Sequence, residues 1–131
     1  MSKRILIIED EADMQELIKI YIAKANLDVK IYSAYTGEEG VKAYKELMEK
    51  GEKPDIVIMD LKLPGMDGVE ATKKIMKMDK NATIYGFTAF FDTNWADELR
   101  KAGAKDVIPR TVGFDGFADR LKKILSQQNF N

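Results

Sequence analysis

Ile5-Leu6-Ile7-Ile8-Glu9-Asp10-Glu11 runs through four aliphatic side chains and stops on three acids, and Ile56-Val57-Ile58-Met59-Asp60 repeats the pattern further along the chain. A continuous apolar run of this length suits a strand covered on both faces, the condition of strands inside a parallel sheet. Val29 to Ala34, Ile84-Tyr85-Gly86-Phe87 and Val107-Ile108 complete a set of five such runs. Each is followed by a helical pattern, and strands alternating with helices of about a dozen residues indicate βαβ units. The fold class is α/β.

Helix starts are marked where an oxygen-bearing side chain precedes an acid by three residues. Thr36 with Glu39 is one such box, and Asp13 with Glu16 is a looser, Asp-led version. Met14, Leu17, Ile18 and Tyr21 then form one apolar stripe, with Val41, Tyr44, Leu47 and Met48 a second and Phe114, Phe117, Leu121, Ile124 and Leu125 a third. Stripes at this spacing are core-facing. Pro64-Gly65 marks a turn.

The five strands differ in character. Val29-Lys30-Ile31-Tyr32-Ser33-Ala34 interleaves polar residues, and the last run closes on Pro109, which cannot donate a ladder hydrogen bond. Strands two and five therefore belong at the edges. The remaining three lie inside, in agreement with a five-stranded parallel sheet of order 2-1-3-4-5, the three-layer (βα)5 arrangement of flavodoxin-like proteins, whose ligands bind beyond the carboxyl ends of the strands.

The 131 residues are 45% hydrophobic and 33% charged, enough apolar material for one domain. A net charge of −1 gives no electrostatic reason to expect nucleic acid or an anionic membrane as partner. No apolar run is long enough to span a membrane, so the expected location is the cytoplasm. With 0 His and 0 Cys, disulfide scaffolds, Cys/His zinc sites, Cys nucleophiles and Ser-His-Asp triads are excluded.

Chemistry must then rest on carboxylates, hydroxyls, Lys and Arg at the strand ends. Strands one and three are neighbours in the 2-1-3-4-5 order, so Glu9, Asp10 and Asp60 converge on one edge. Clustered carboxylates repel unless a cation sits among them, and an all-oxygen site with open positions for water suits Mg²⁺. Any one of these acids alone is as well explained by a solvated strand end or a helix dipole; all three together are not. A phosphate loop of the flavin-binding kind is disfavoured, because a phosphate would meet Glu9 and Asp10. Thr88 ends strand four and Arg110 follows strand five, adding a hydroxyl and a cation. The set suits phosphoryl transfer to a carboxylate. A fixed positive group lodged between Asp10 and Asp60 would remove its basis.

These residues carry a resemblance. Ile5 to Glu11, then Ile56-Val57-Ile58-Met59-Asp60-Leu61-Lys62-Leu63-Pro64-Gly65-Met66-Asp67-Gly68, then Thr88-Ala89 and Gly103-Ala104, resemble the receiver domain of two-component response regulators, in particular the stand-alone, chemotaxis-regulator-like kind. The similarity runs from Lys3 to about Leu125, and the segment around Asp60 is its most specific part. It implies that Asp60 accepts a phosphoryl group from a histidine kinase or phosphotransfer protein. It also implies Mg²⁺, or Mn²⁺, held by Asp10, Asp60 and the Lys62 carbonyl, with Glu9 acting through water. By the same resemblance Thr88 follows the new phosphoryl oxygen, and the face made by helix four, strand five and helix five changes its partners. Such a protein is no enzyme beyond its own phosphorylation and dephosphorylation. Lacking His, the chain cannot be the phosphohistidine donor.

The chain departs from that pattern in three places. Arg110 stands where a lysine is expected, Thr111 where a proline follows, and Val107 where an aromatic switch residue is usual. Arginine keeps the charge but is a planar fork. A cis bond before Thr111 would cost about 2.5 to 4 kcal/mol, so a trans bond is expected. Phe90 or Phe91 is a candidate to replace the aromatic switch, and Phe90 and Lys62 are candidates to tune acyl-phosphate lifetime. Trp95 is a candidate contact on the output face, although packing with Leu99 and Ala102 is the simpler expectation.

Residues 1–127 are expected to form the receiver and 128–131 a short tail, leaving too little chain after the last helix for a DNA-binding effector. Signalling would pass through protein contacts. The alternative is an atypical receiver whose interface works without phosphorylation. A haloacid-dehalogenase-like phosphatase needs a second acid two residues after its nucleophile, and Lys62 stands there instead.

Overall fold

The structure is a computed structural model that describes residues 2–89 and 94–128. The roles considered for Phe90 and Phe91 fall outside these residues, as does most of the expected tail. The order of elements is β1 (Lys3–Ile8), α1 (Ala12–Lys24), β2 (Val29–Ala34), α2 (Gly37–Glu49), β3 (Ile56–Met59), α3 (Gly68–Met78), β4 (Ile84–Thr88), α4 (Asn94–Ala102), β5 (Asp106–Pro109) and α5 (Gly113–Gln128). A 3-10 turn, Arg110–Val112, leads from β5 into α5.

All five strands are parallel, in the order β2-β1-β3-β4-β5, with β2 and β5 at the edges as their sequences require. The register sets which side chains leave the sheet together. Ile8 is level with both Ala34 and Met59, and Thr88 is level with Pro109. The residues that come next, Glu9, Asp60 and Arg110, therefore emerge along one edge of the sheet.

Alternating side chains of each strand feed two cores. Leu6, Ile8, Val57 and Met59 pack with Tyr44 of α2, Ile75 of α3 and Leu99 of α4. Ile5, Ile7, Ile56 and Ile58 pack with Ile18 and Ile22 of α1 and Phe117 and Leu121 of α5. Ile5 to Ile8 are all fully buried. At about 1.5 to 3 kcal/mol per fully buried aliphatic side chain, β1 is firmly anchored.

Two sequence expectations about α1 are corrected. The helix begins at Ala12 with Glu11 as an N-cap that makes no side-chain bond, so Asp13 lies inside the first turn, where its charge faces the positive end of the helix dipole. Leu17 is exposed, and the inward face is Gln15, Ile18 and Ile22. The helix is turned by about one residue from the expected stripe, because a glutamine takes a core position. The Thr36 box holds: Thr36 Oγ1 accepts the Glu39 amide at 3.0 Å, and Glu39 accepts the Tyr35 amide at 3.0 Å.

No cis peptide bond occurs among the described residues, so the bond before Thr111 is trans. Trp95 remains 44% exposed; Ala96 and Leu99 carry the buried face of α4, and the expected packing of Trp95 does not cover it. No helix of the described residues is long and apolar enough to cross a membrane.

Candidate functional site

The carboxyl ends of β1 and β3 bring one oxygen each of Glu9, Asp10 and Asp60 within 4.8 Å of one another. Beside them opens a cleft of about 510 Å³ lined by Asp10, Glu11, Asp60, Lys62, Leu63, Pro64, Ala89 and Arg110. Its floor is set by local structure. Gly65 takes φ +70 in the turn after Leu63-Pro64, and Asp67 caps α3 by accepting the Glu70 amide at 2.9 Å. The Gly68 amide donates to the Leu61 carbonyl at 2.9 Å, drawing the start of α3 against the Asp60 backbone. A side chain at position 68 would collide with the Asp60 carbonyl oxygen.

Asp60 is held at its own loop: Oδ1 accepts the Leu61 amide at 2.9 Å, and the buried Thr88 hydroxyl bonds the same carboxylate. Burial pushes the Asp60 carboxyl above its usual range, with the charge of Asp10 in the same direction and Arg110, the Leu61 amide and Thr88 opposing. Glu9 is 1% exposed. Burial pushes its carboxyl up to about 7, against the Glu11 amide, while the neighbouring Asp60 charge adds to the rise. Nearby positive charge favours the ionised form of both acids.

Arg110 supplies some of it. Its Nη2 donates to Glu9 Oε1 at 2.6 Å and stands 3.9 Å from Asp60 Oδ1. Its Nε donates to the Phe87 carbonyl at 3.2 Å, and the guanidinium lies over the Phe87 ring at 4.7 Å. Among the described residues no ion pair joins Arg110 to Asp10. The cation is therefore a neighbour of the cluster on the Glu9 flank, and the donor set of exposed Asp10 with Asp60 fits a hard cation such as Mg²⁺.

Sequence reasoning placed Glu9, Asp10, Asp60, Thr88 and Arg110 at one edge, and the structure brings all five together; Lys62 lines the same cleft. It missed Gln15. That side chain is fully buried, and its Nε2 lies 3.1, 3.2 and 3.0 Å from the carbonyls of Ile7, Glu9 and Ala34, tying the end of β1 to the end of β2. Its spacing from Ile18 and Ile22 was the available signal. Phe87 was also missed as the seat of Arg110.

Against known proteins, residues 5–122 match the family model for the response regulator receiver domain. The chain belongs to the response regulator receiver family. It is similar to chemotaxis protein CheY of Thermotoga maritima, 41% identical over 124 residues that cover 95% of this chain and 98% of that protein. It is also similar to sporulation initiation phosphotransferase F of Bacillus subtilis, 29% identical over 95% of each. Among solved structures, the response regulator TrrA of Thermotoga maritima in complex with Mg(2+)-BeF has a TM-score of 0.75 at 30% identity, covering 93% of this chain and 98% of that one. The CheX-CheY-BeF3-Mg+2 complex from Borrelia burgdorferi, at TM-score 0.81, 24% identity and 94% and 89% coverage, has the same fold. Receiver domains are signalling modules rather than classical enzymes, and they bind Mg²⁺ in an acidic pocket of the kind present here.

Proposed function

We propose that this receiver is phosphorylated on Asp60 by a histidine kinase or phosphotransfer protein, and that it works in the cytoplasm through protein contacts. The observation that carries this reading is the convergence of Glu9, Asp10 and Asp60 beside Thr88 and Arg110 at the mouth of one cleft. In the transfer, a carboxylate oxygen of Asp60 forms the new O–P bond as the P–N bond of the donor phosphohistidine breaks. The leaving imidazole keeps the electron pair and takes a proton from solvent.

Asp10 and Asp60, with the Lys62 backbone carbonyl, would hold Mg²⁺ or Mn²⁺, which supplies neutralisation of the phosphoryl oxygens when bound. Thr88 moves its hydroxyl from the carboxylate toward a phosphoryl oxygen, and Arg110 offers its remaining N–H donors to the others. Catalysis extends to the protein's own phosphorylation and dephosphorylation. Residues 1–127 are proposed as the working unit, to which Gln128 also belongs, since it closes α5 and its Nε2 donates to the Asp55 carbonyl at 2.9 Å. The output surface is the α4-β5-α5 face, where Trp95 is exposed and Asp106 joins Arg100 at 3.5 Å to Arg120 at 3.6 Å.

One observation favours a second reading. Val107 is 2% exposed and fills the space under α4 beside Leu99, so no ring is present at that position to swing between a buried and an exposed state. A receiver of this kind can serve as an interaction module whatever its phosphorylation. Incubation with Mg²⁺ and a small acyl or amido phosphate, followed by intact-mass measurement, separates the two. A phosphoryl adduct absent from Asp60→Asn is expected; no adduct on the wild type, or an equal one on the variant, overturns the first reading and leaves the second.

A further inference from the structure

The amino ends of the strands carry a second cleft, of about 450 Å³, at the opposite edge of the sheet from Asp60. Its borders include Lys3 and Arg4 at the start of β1, Lys53 and Asp55 before β3, Thr83 before β4 and Gln128 at the end of α5. The six residues of β1 separate the two edges by about 20 Å at the rise of a strand. Charges in physiological salt are screened over about 8 Å, so the two clefts act independently.

The charges of this second cleft are unevenly matched. Lys53 is joined to Asp79 at 2.8 Å, and Asp55, the acid on the border, turns its Oδ2 to the Arg4 backbone amide at 2.7 Å. The Asp55 amide in turn donates to the Arg4 carbonyl at 2.8 Å. Neither the Lys3 ammonium nor the Arg4 guanidinium makes a hydrogen bond or ion pair among the described residues. Gln128 has the opposite need: its Nε2 donates to the Asp55 carbonyl at 2.9 Å, while its Oε1 is buried without a donor.

We propose that this cleft binds a phosphate monoester of a small polyhydroxy compound, with Lys3 and Arg4 on the phosphate and Gln128 Oε1 receiving a hydroxyl of the organic part. Three physical points support it. Neighbouring residues of a strand face opposite sides of the sheet, so Lys3 and Arg4 come to the cleft from its two faces, a placement suited to a group of charge about −2. The Arg4 guanidinium matches phosphate oxygens with paired donors, and cationic walls around a concave site concentrate anions there although the whole chain carries −1. A fully ionised oxyanion brings no hydrogen for the buried Gln128 oxygen, whereas a ligand with hydroxyls beside its phosphate satisfies both needs. The volume lies within the span of about 300 to 1,000 Å³ usual for small-molecule clefts. The site does not depend on phosphorylation of Asp60.

The test uses the full-length ¹⁵N-labelled protein without Mg²⁺, at constant ionic strength set by NaCl. Ribose 5-phosphate, inorganic phosphate and ribose are titrated separately and the backbone amides followed by NMR. Ribose 5-phosphate is expected to shift the Arg4, Asp55 and Thr83 amides in a saturable way, and inorganic phosphate to shift the same amides with weaker affinity. Ribose alone should leave them in place. No saturable shift at these residues overturns the proposal, and equal affinity for the ester and for inorganic phosphate overturns its assignment of an ester. A second measurement uses the double variant Lys3→Gln with Arg4→Gln, which should bind ribose 5-phosphate about tenfold or more weakly, the effect of losing hydrogen bonds from charged donors. Lys73→Gln with Lys74→Gln removes the same charge from exposed positions of α3 and should bind like the wild type. Equal losses in the two double variants reduce the effect to net charge and overturn the proposal, and the wild-type titration decides it should the first variant fail to fold. Asp60→Asn should bind ribose 5-phosphate as the wild type does, so failure here and failure of the phosphoacceptor reading are separate results.

Discussion

Gly68 lies so close to Asp60 that any side chain at position 68 would overlap the Asp60 carbonyl oxygen and press on the Leu61 Cα. The start of α3 and the end of β3 are thus packed backbone to backbone, and the Gly68 amide bonds the Leu61 carbonyl at 2.9 Å. Asp60 owes its place to a missing methyl group. The substitution Gly68→Ala should destabilise the fold by about 1 to 3 kcal/mol, as expected for overpacking, seen as a lower urea midpoint. It should also slow adduct formation on Asp60 by about tenfold or more, because small misplacements at a reacting centre are expensive.

Gln15 holds three strand-end carbonyls from within the core. An amide has two hydrogens, so these acceptors share them, and removing the amide takes a buried donor from all three, although the Ala34 carbonyl keeps the Glu9 amide at 3.0 Å. Gln15→Leu should cost about 1 to 3 kcal/mol in chemical denaturation. Gln15→Glu should cost more, since a carboxylate would face the same carbonyls.

Away from the cleft, Asp79 accepts the buried Tyr44 hydroxyl at 2.7 Å and Lys53 Nζ at 2.8 Å, and its other oxygen takes the Asn81 amide at 3.0 Å. Burial alone would raise the Asp79 carboxyl, but the Lys53, Tyr44 and Asn81 hydrogen bonds outweigh it and hold the group below its ordinary 3.8. Because the folded state binds this proton less readily than the unfolded chain, the group adds stability at pH values above 3.8. That contribution disappears as pH falls through the lowered folded value. Asp79→Asn should therefore be less stable than wild type at neutral pH and show a flatter loss of stability below about pH 4, measured by thermal melts at constant ionic strength.

Mg²⁺ should raise the melting temperature of the wild type, since a ligand that binds only the folded state stabilises it, by about 2.7 kcal/mol at a hundredfold excess over Kd. Chelation should reverse the shift. Asp10→Asn should lose most of it, whereas Lys62→Ala should keep it, because only the backbone of Lys62 is expected to contribute.

The five strands and their order were legible because burial on both faces writes itself as unbroken Ile and Val, and an edge writes itself as Lys30 or Pro109. The acidic edge followed from that order alone. The phase of α1 was not legible, since a buried glutamine reads as an outward one until the carbonyls it serves are known. Nor could spacing tell Glu9 from Asp10. Adjacent acids look equivalent in sequence, and only Arg110, 101 residues further along the chain, holds one buried while the other stays exposed.

Strand β1 is buried on both faces and paired on both sides, and the two acids that follow it leave the sheet one peptide bond apart. The first is held by Arg110 and the Glu11 amide, and the second stays exposed. Ions of different radius would thus meet Asp60, held by the Leu61 amide, across from an exposed Asp10, and the span the cleft accepts is set by the rotamers of that one outer aspartate.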